Sequence, residues 1–266
     1  MGLIDTHAHL ESFARRGELA EILTRARETG LERILTIGTS TDDWELYRSL
    51  AAAEPDLIAY TVGLHPCSVG DDWPEQVAQI EAFWKDDTRP HPVALGETGL
   101  DRFHLPKDAS AASRIFSLQR AAFAECLRLA RALATPRVVH SRGAFRECVD
   151  MIDVSGVDWS RVVFHCFAEG PAEMEALIER GGRGSFTGVL TYKNAENVRA
   201  ALKRQGIQKL MLETDAPYLA PVPHRGKSNE PAHIIHTAML AASVLDISFD
   251  ELVRQTTRTA REFFQV

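Results

Sequence analysis

The sequence has no apolar run close to the roughly 20 residues that a membrane-spanning helix needs. Its start lacks a basic segment leading into a long apolar one, so neither a membrane partner nor a secretory signal is expected. Cysteine is scarce. Cys67, Cys126, Cys148 and Cys166 form no CxxC pair, and their spacing outlines no disulfide framework. Reduced thiols in a cytoplasmic protein are the expectation. Basic charge is not in excess either: 30 Lys and Arg against 37 Asp and Glu leave a formal charge of −7. A protein that coats nucleic acid binds through Lys and Arg that displace counterions, so this balance argues against such a role. It leaves room for a nuclease that grips phosphate with metals and a few local cations. No Gly-, Ser- or Pro-rich linker divides the chain, and a single domain over residues 1–266 is expected.

What is present is alternation. Short apolar runs at 3–7, 33–38, 57–63, 93–96, 137–140, 162–165, 184–187 and 209–212 alternate with longer amphipathic stretches such as 18–29, 44–53, 109–133, 173–180 and 197–205. Strands separated by helices predict βα units and a parallel sheet. Eight such units close into a (β/α)8 TIM barrel, and 266 residues suit that fold. Residues 217–231 read as a loop, followed by two closing helices at 234–245 and 249–264.

Polar residues collect where the runs end. The first leads into Asp5-Thr6-His7-Ala8-His9, the third into Gly63-Leu64-His65-Pro66, and the fourth into Gly96-Glu97-Thr98-Gly99-Leu100-Asp101. The fifth ends at His140-Ser141-Arg142, the sixth at His165-Cys166-Phe167, and the eighth at Glu213-Thr214-Asp215-Ala216-Pro217. The carboxyl ends of barrel strands share one face, where active sites are built. His7 and His9, two apart on a strand, point the same way, and imidazole suits divalent transition metals. Asp215 is the natural carboxylate to complete a first metal site. His140 and His165, on neighbouring strands facing the same mouth, favour a second. Glu97 lies between the two groups in strand order and can give one oxygen to each. Two metals about 3.5–4 Å apart can clamp the attacking and leaving oxygens of a displacement. Arg142, Arg225 and Lys227 are the cations expected to hold a phosphate, Arg through its planar fork and Lys as a point charge.

This ordered set resembles the TatD family of metal-dependent deoxyribonucleases, within the amidohydrolase-type barrels. The resemblance covers essentially the whole chain, and Arg225-Gly226-Lys227-Ser228-Asn229-Glu230-Pro231 is an especially specific part of it. It implies a barrel with two divalent ions (zinc, magnesium or manganese). Position by position, His7, His9, Glu97 and Asp215 match ligands of one ion, and Glu97, His140 and His165 those of the other. Asp215 also matches the residue held to activate water, and His65 a substrate-facing position. The implied reaction is hydrolysis of DNA phosphodiesters, often as a 3′–5′ exonuclease acting on single-stranded ends. Three positions depart from the family pattern: Arg102 stands where an aromatic is common, Ser141 where Cys is usual, and Thr259-Ala260 where Asn-Ala is frequent. None is a ligand. Hydrolysis of another ester, amide or lactone on the same barrel, and a partner-gated subunit of a larger assembly, are the alternatives.

Overall fold

The computed structural model describes residues 2–266. Its strands are β1 (Leu3–Ala8), β2 (Leu31–Thr36), β3 (Ile58–Val62), β4 (Ala94–Asp101), β5 (Arg137–Arg142), β6 (Val162–Phe164), β7 (Arg183–Phe186) and β8 (Met211–Leu212). They form one sheet in sequence order, every pair parallel. The helices are α1 (Glu11–Arg15), α2 (Leu19–Glu28), α3 (Trp44–Ala53), α4 (Trp73–Lys85), α5 (Ala109–Leu133), α6 (Phe145–Ser155), α7 (Pro171–Arg180), α8 (Glu196–Gln205), α9 (Ile234–Leu245) and α10 (Phe249–Phe264). The eight strands and their helices form a (β/α)8 barrel, as the alternation predicts. No single helix among the described residues is long and apolar enough to cross a membrane.

Two apolar clusters hold the barrel. The larger fills the space between strands and helices, where Trp44, Tyr47, Phe123 and Phe164 are fully buried. The smaller lies inside, near the amino ends of the strands. It joins Ile4, Leu35, Ala59, Ala94, Val138 and Met211 to Ala260, Phe263 and Phe264 of α10. That helix therefore plugs the bottom of the barrel and leaves the carboxyl ends to polar groups. Side-chain caps start the long helices: Asp108 accepts from the Ala111 N–H at 2.8 Å, and Ser248 accepts from Glu251 at 3.1 Å.

The strands depart from expectation where the site is built. β4 runs on to Asp101 rather than stopping at residue 96, and β5 reaches Arg142, because the two pair from Thr98↔Val139 to Asp101↔Arg142. Glu97 and His140 thus sit within paired strands, not on loops beyond them. This extension needs Gly99: its φ is +152°, and a Cβ there would overlap the His140 carbonyl. β8, expected over 209–212, is only Met211–Leu212.

The seam between β8 and β1 is held by few backbone contacts: an isolated parallel bridge at Ala8↔Ala216, Asp215 N–H to His7 O at 2.8 Å, and His9 N–H to Ala216 O at 2.7 Å. Asp5 reinforces it. Its buried carboxyl accepts from Thr214 N–H at 2.9 Å and His7 N–H at 3.2 Å, and pairs with the Thr214 hydroxyl at 2.6 Å. Burial pushes this carboxyl up to about 7, against the hydrogen bonds that favour its charge. The folded chain then holds a proton that the unfolded chain releases at an ordinary 3.8. Asp5 therefore contributes stability that is complete below that value and lost as pH rises through about 7. Asp5→Ala should cost about 2–4 kcal/mol by stranding buried donors. In metal-free protein, thermal melts should show the wild type losing stability relative to Asp5→Asn between pH 4 and 7 (~3 units, the span between the two states). Parallel pH profiles would contradict the seam role of a neutral Asp5.

Candidate metal centre

The predicted ligands converge at the mouth. Glu97, 2% exposed, turns its two oxygens to different partners. Oε2 lies 3.3 Å from His7 Nε2 and 3.9 Å from His9 Nε2. Oε1 lies 2.7 Å from His140 Nδ1 and 2.6 Å from His165 Nε2. Asp215 joins the first group, with Oδ1 at 3.4 Å from His9 Nε2 and 3.7 Å from His7 Nε2. Within the groups, His7 Nε2 and His9 Nε2 are 3.3 Å apart, as are His140 Nδ1 and His165 Nε2.

The separations in the first group suit a metal ion. Ligand atoms about 2.0–2.1 Å from a tetrahedral ion stand roughly 3.3–3.4 Å from one another. The first group offers four donors near that spacing: His7, His9, Glu97 and Asp215. The second, Glu97, His140 and His165, shares Glu97 with the first; its imidazoles are 3.3 Å apart, with Glu97 Oε1 at hydrogen-bond distance, 2.6–2.7 Å, from each. The charges fit as well. Burial alone would push Glu97 up, but His165 and the hydrogen-bonded His140 hold it well below the usual carboxylate range. Burial likewise opposes charge on Asp215, yet His9 holds it below its ordinary value. In return, and against its own burial, His9 is pushed up to about 9 by Asp215 and Glu97. His140 and His165 are raised too, burial being overcome by Asp101 and Glu97 in one case and by Glu97 and Glu213 in the other.

His65 belongs to the centre too, and with Glu97 and His140 it forms a group whose ligand atoms lie close enough together to hold a metal ion. Its Nε2 is 3.6 Å from Glu97 Oε1 and 3.2 Å from His140 Nδ1, close enough by distance alone. Burial, however, lowers this imidazole to about 3, so it is neutral, and its Nδ1 accepts the Cys67 N–H at 3.0 Å. The single proton is then on Nε2. His65 presents a donor to the mouth, the property needed to hold a substrate oxygen.

Two carboxylates that the sequence reading passed over stand behind the ligands. Asp101, fully buried, accepts from His140 Nε2 at 3.0 Å and pairs with His104 Nδ1 at 2.8 Å. His140 thereby donates from both ring nitrogens, Nε2 to Asp101 and Nδ1 to Glu97, and a metal at Nδ1 would displace the second proton. Glu213 accepts the Cys166 N–H at 2.5 Å and the Ser185 hydroxyl, and its Oε1 lies 3.6 Å from His165 Nδ1. The signal was the strand period of two: Glu97, Gly99 and Asp101 share one parity on β4, as Glu213 and Asp215 do after β8.

The cations divide. Arg142 lines the mouth cavity, of about 680 Å³, beside His9, His65, Glu97, His140, His165 and Asp215. Arg225 instead lays its guanidinium 4.0 Å from the Tyr192 ring centroid, and neither it nor Lys227 lines this cavity. Both are exposed, on a loop anchored by Asn229, whose amide donates to Thr214 O and Tyr218 O.

Outer carboxylates that orient a ligating imidazole typically govern metal affinity by 10–100-fold. Asp101→Asn should weaken metal binding by about that factor, measured by competition with a chelator; unchanged affinity would remove Asp101 from this role. Because His9, His140 and His165 hold protons more tightly than usual, a metal must displace those protons. Affinity should fall as pH drops from 8 to 6 (~2 units), with proton release visible by calorimetry in buffers of different ionisation enthalpy. A pH-independent affinity would contradict this ligand set.

Comparison with known proteins gives one answer. The family model described as TatD-related DNase matches residues 4–265. The metal-dependent hydrolase YcfH of Escherichia coli K12 is 30% identical over 269 residues, covering 100% of this chain and 97% of the relative. The metal-dependent hydrolase TatD of Mycobacterium tuberculosis is 31% identical over 267 residues, covering 98% and 97%. Among solved structures, the TatD homologue YjjV of Escherichia coli K12 superposes with a TM-score of 0.88 at 23% identity, over 99% of this chain and 98% of that one. The chain belongs to the TatD-related DNase family and is a metal-dependent hydrolase.

Proposed function

We propose that the chain hydrolyses phosphodiester bonds of DNA, working from single-stranded 3′ ends. The observation that carries this reading is the division of Glu97 between His7 with His9 on one side and His140 with His165 on the other. In this reading His7, His9, Glu97 and Asp215 hold one divalent cation, and Glu97, His140 and His165 hold a second. Zinc, magnesium and manganese are all compatible with this mixture of imidazole and carboxylate. Such a pair, when bound, supplies Lewis acidity and a clamp on both the attacking and the leaving oxygen.

The chain's own groups do the rest. Asp215, ionised and partnered by His9, is positioned to accept a proton from the attacking water. His65 donates from Nε2 to a phosphoryl oxygen. Arg142 offers its fork to a flanking phosphate. His7 and Glu97 are buried, and Glu97 lines the mouth cavity with His9, His140, His165 and Asp215.

A second reading keeps the ligands and changes the bond, to a smaller ester, amide or lactone. It is favoured by Arg142 being the one Lys or Arg among the described residues lining the cavity. A barrel of this kind does not choose between the two.

The test is metal-loaded protein against end-labelled single-stranded oligonucleotides, phosphomonoesters and lactones. Stepwise shortening from the 3′ end is expected. Lactone turnover without oligonucleotide cleavage would overturn the nuclease reading in favour of the second. Glu97→Gln should lose about 100-fold or more in kcat/KM while keeping its circular dichroism spectrum, given how much charge stabilisation a bridging carboxylate organises. Wild-type cleavage with full metal content would remove Glu97 from the bridge.

A further inference from the structure

The mouth carries one more group of metal-ligating side chains, apart from those gathered around Glu97. Cys67, Asp101 and His104 bring a sulfur, a carboxylate oxygen and an imidazole nitrogen within 4.8 Å of one another. Asp101 Oδ2 is the hub, with His104 Nδ1 at 2.8 Å and Cys67 Sγ at 3.8 Å. Cys67 belongs to the turn Pro66–Ser68 after β3, Asp101 ends β4, and His104 follows it. Cys67 and His104 are exposed and line the mouth cavity, with fully buried Asp101 behind them.

The hub is held still. The Asp101 N–H donates to Gln119 Oε1 of α5 at 3.0 Å. Asp101 Oδ1 accepts the His104 N–H at 2.8 Å, which doubles the chain back so that the ring returns to Oδ2. One lone pair of Oδ2 takes the His140 Nε2 proton at 3.0 Å, and the other meets His104. A cation seated among the three side chains takes the place of the His104 proton, which moves to Nε2 of that half-exposed ring. It also displaces the thiol proton to water, since a coordinating thiol is deprotonated outright. Tetrahedral zinc asks for nitrogen about 3.3 Å and sulfur about 3.5 Å from the carboxylate oxygen. The observed 2.8 and 3.8 Å bracket those separations, and both outer side chains are exposed.

We infer that Cys67, Asp101 and His104 form a further cation site, selective for zinc over magnesium and manganese, whose fourth position opens on the mouth cavity to an oxyanion. Three protein ligands and one open position are the arrangement of a zinc that binds water or substrate. The thiolate supplies the selectivity, because magnesium and manganese favour oxygen. Positive charge is otherwise sparse there. Arg142 is the one Lys or Arg among the described residues lining the cavity, and it stands nearby, against Phe103, which meets His104 edge-on. Because Oδ2 also holds His140, zinc here draws charge from the hydrogen bond that orients a ligand of the shared centre. The site is independent of which bond that centre cleaves.

Cobalt(II) is the probe, because thiolate ligation gives it a sulfur-to-metal charge-transfer absorption that nitrogen and oxygen ligands lack. Metal-free wild type should bind three cobalt ions, the band growing with one of them, but only two manganese ions. Cys67→Ser should abolish the band and keep two cobalt ions with their visible spectrum, which reports an intact fold. His104→Ala should lose the same third ion. Methylphosphonate should shift the wild-type band, which reports on this ion alone. A wild type without the band would overturn the site. So would a band surviving in Cys67→Ser, which would belong to Cys166, the other cysteine lining this cavity. A third manganese ion would overturn the selectivity, and a band that methylphosphonate leaves unmoved would overturn the open position.

Discussion

A carboxylate as deeply buried as Glu97 stays ionised only if positive charge meets both of its oxygens. In this barrel the charge comes from two directions, His9 toward Oε2, where burial lowers the neighbouring His7, and His140 and His165 toward Oε1. Much of the architecture serves that meeting. Gly99 allows β4 to lie close against β5 beside His140, Asp5 and Thr214 close the seam that carries His7, His9 and Asp215, and α10 fills the barrel floor with phenylalanine. The apolar floor and polar mouth divide the work: the floor supplies burial free energy, and the mouth gathers charged groups whose desolvation that burial must offset.

The ligand imidazoles differ in what stands behind them, and this gives each a distinct character. Asp101 sets the tautomer of His140, while His65 has its tautomer set by a backbone N–H and so becomes a donor. Side chains of the same type, a few ångströms apart, thereby present different atoms to the mouth. Their second hydrogen bond decides, not their distance from Glu97.

Much of this was legible in the chain. The helices at 44–53, 109–133, 234–245 and 249–264 have the same bounds in the structure, because long amphipathic runs carry both a period and end signals. The convergence of His7, His9, Glu97, His140, His165 and Asp215 followed from their places at strand ends. Strand lengths were less legible. The reach of β4 to Asp101 depends on its pairing with β5, and the shortness of β8 on a seam closed by side chains, neither of which is a local property. The parity that Asp101 shares with Glu97 puts it on the same face, but it does not say that His140's far nitrogen is what it touches. Arg225 and Lys227, expected to hold a phosphate, lie outside the cavity lining, and Arg225 stacks on Tyr192, a contact between residues 33 apart on separate segments that no sequence window contains.

The shared carboxylate is tested most directly by electron paramagnetic resonance of the protein loaded with manganese. Two ions per chain, magnetically coupled through a bridge at a separation of about 3.5–4 Å, are expected. One ion per chain, or two that behave as isolated centres, would contradict a Glu97 held in common.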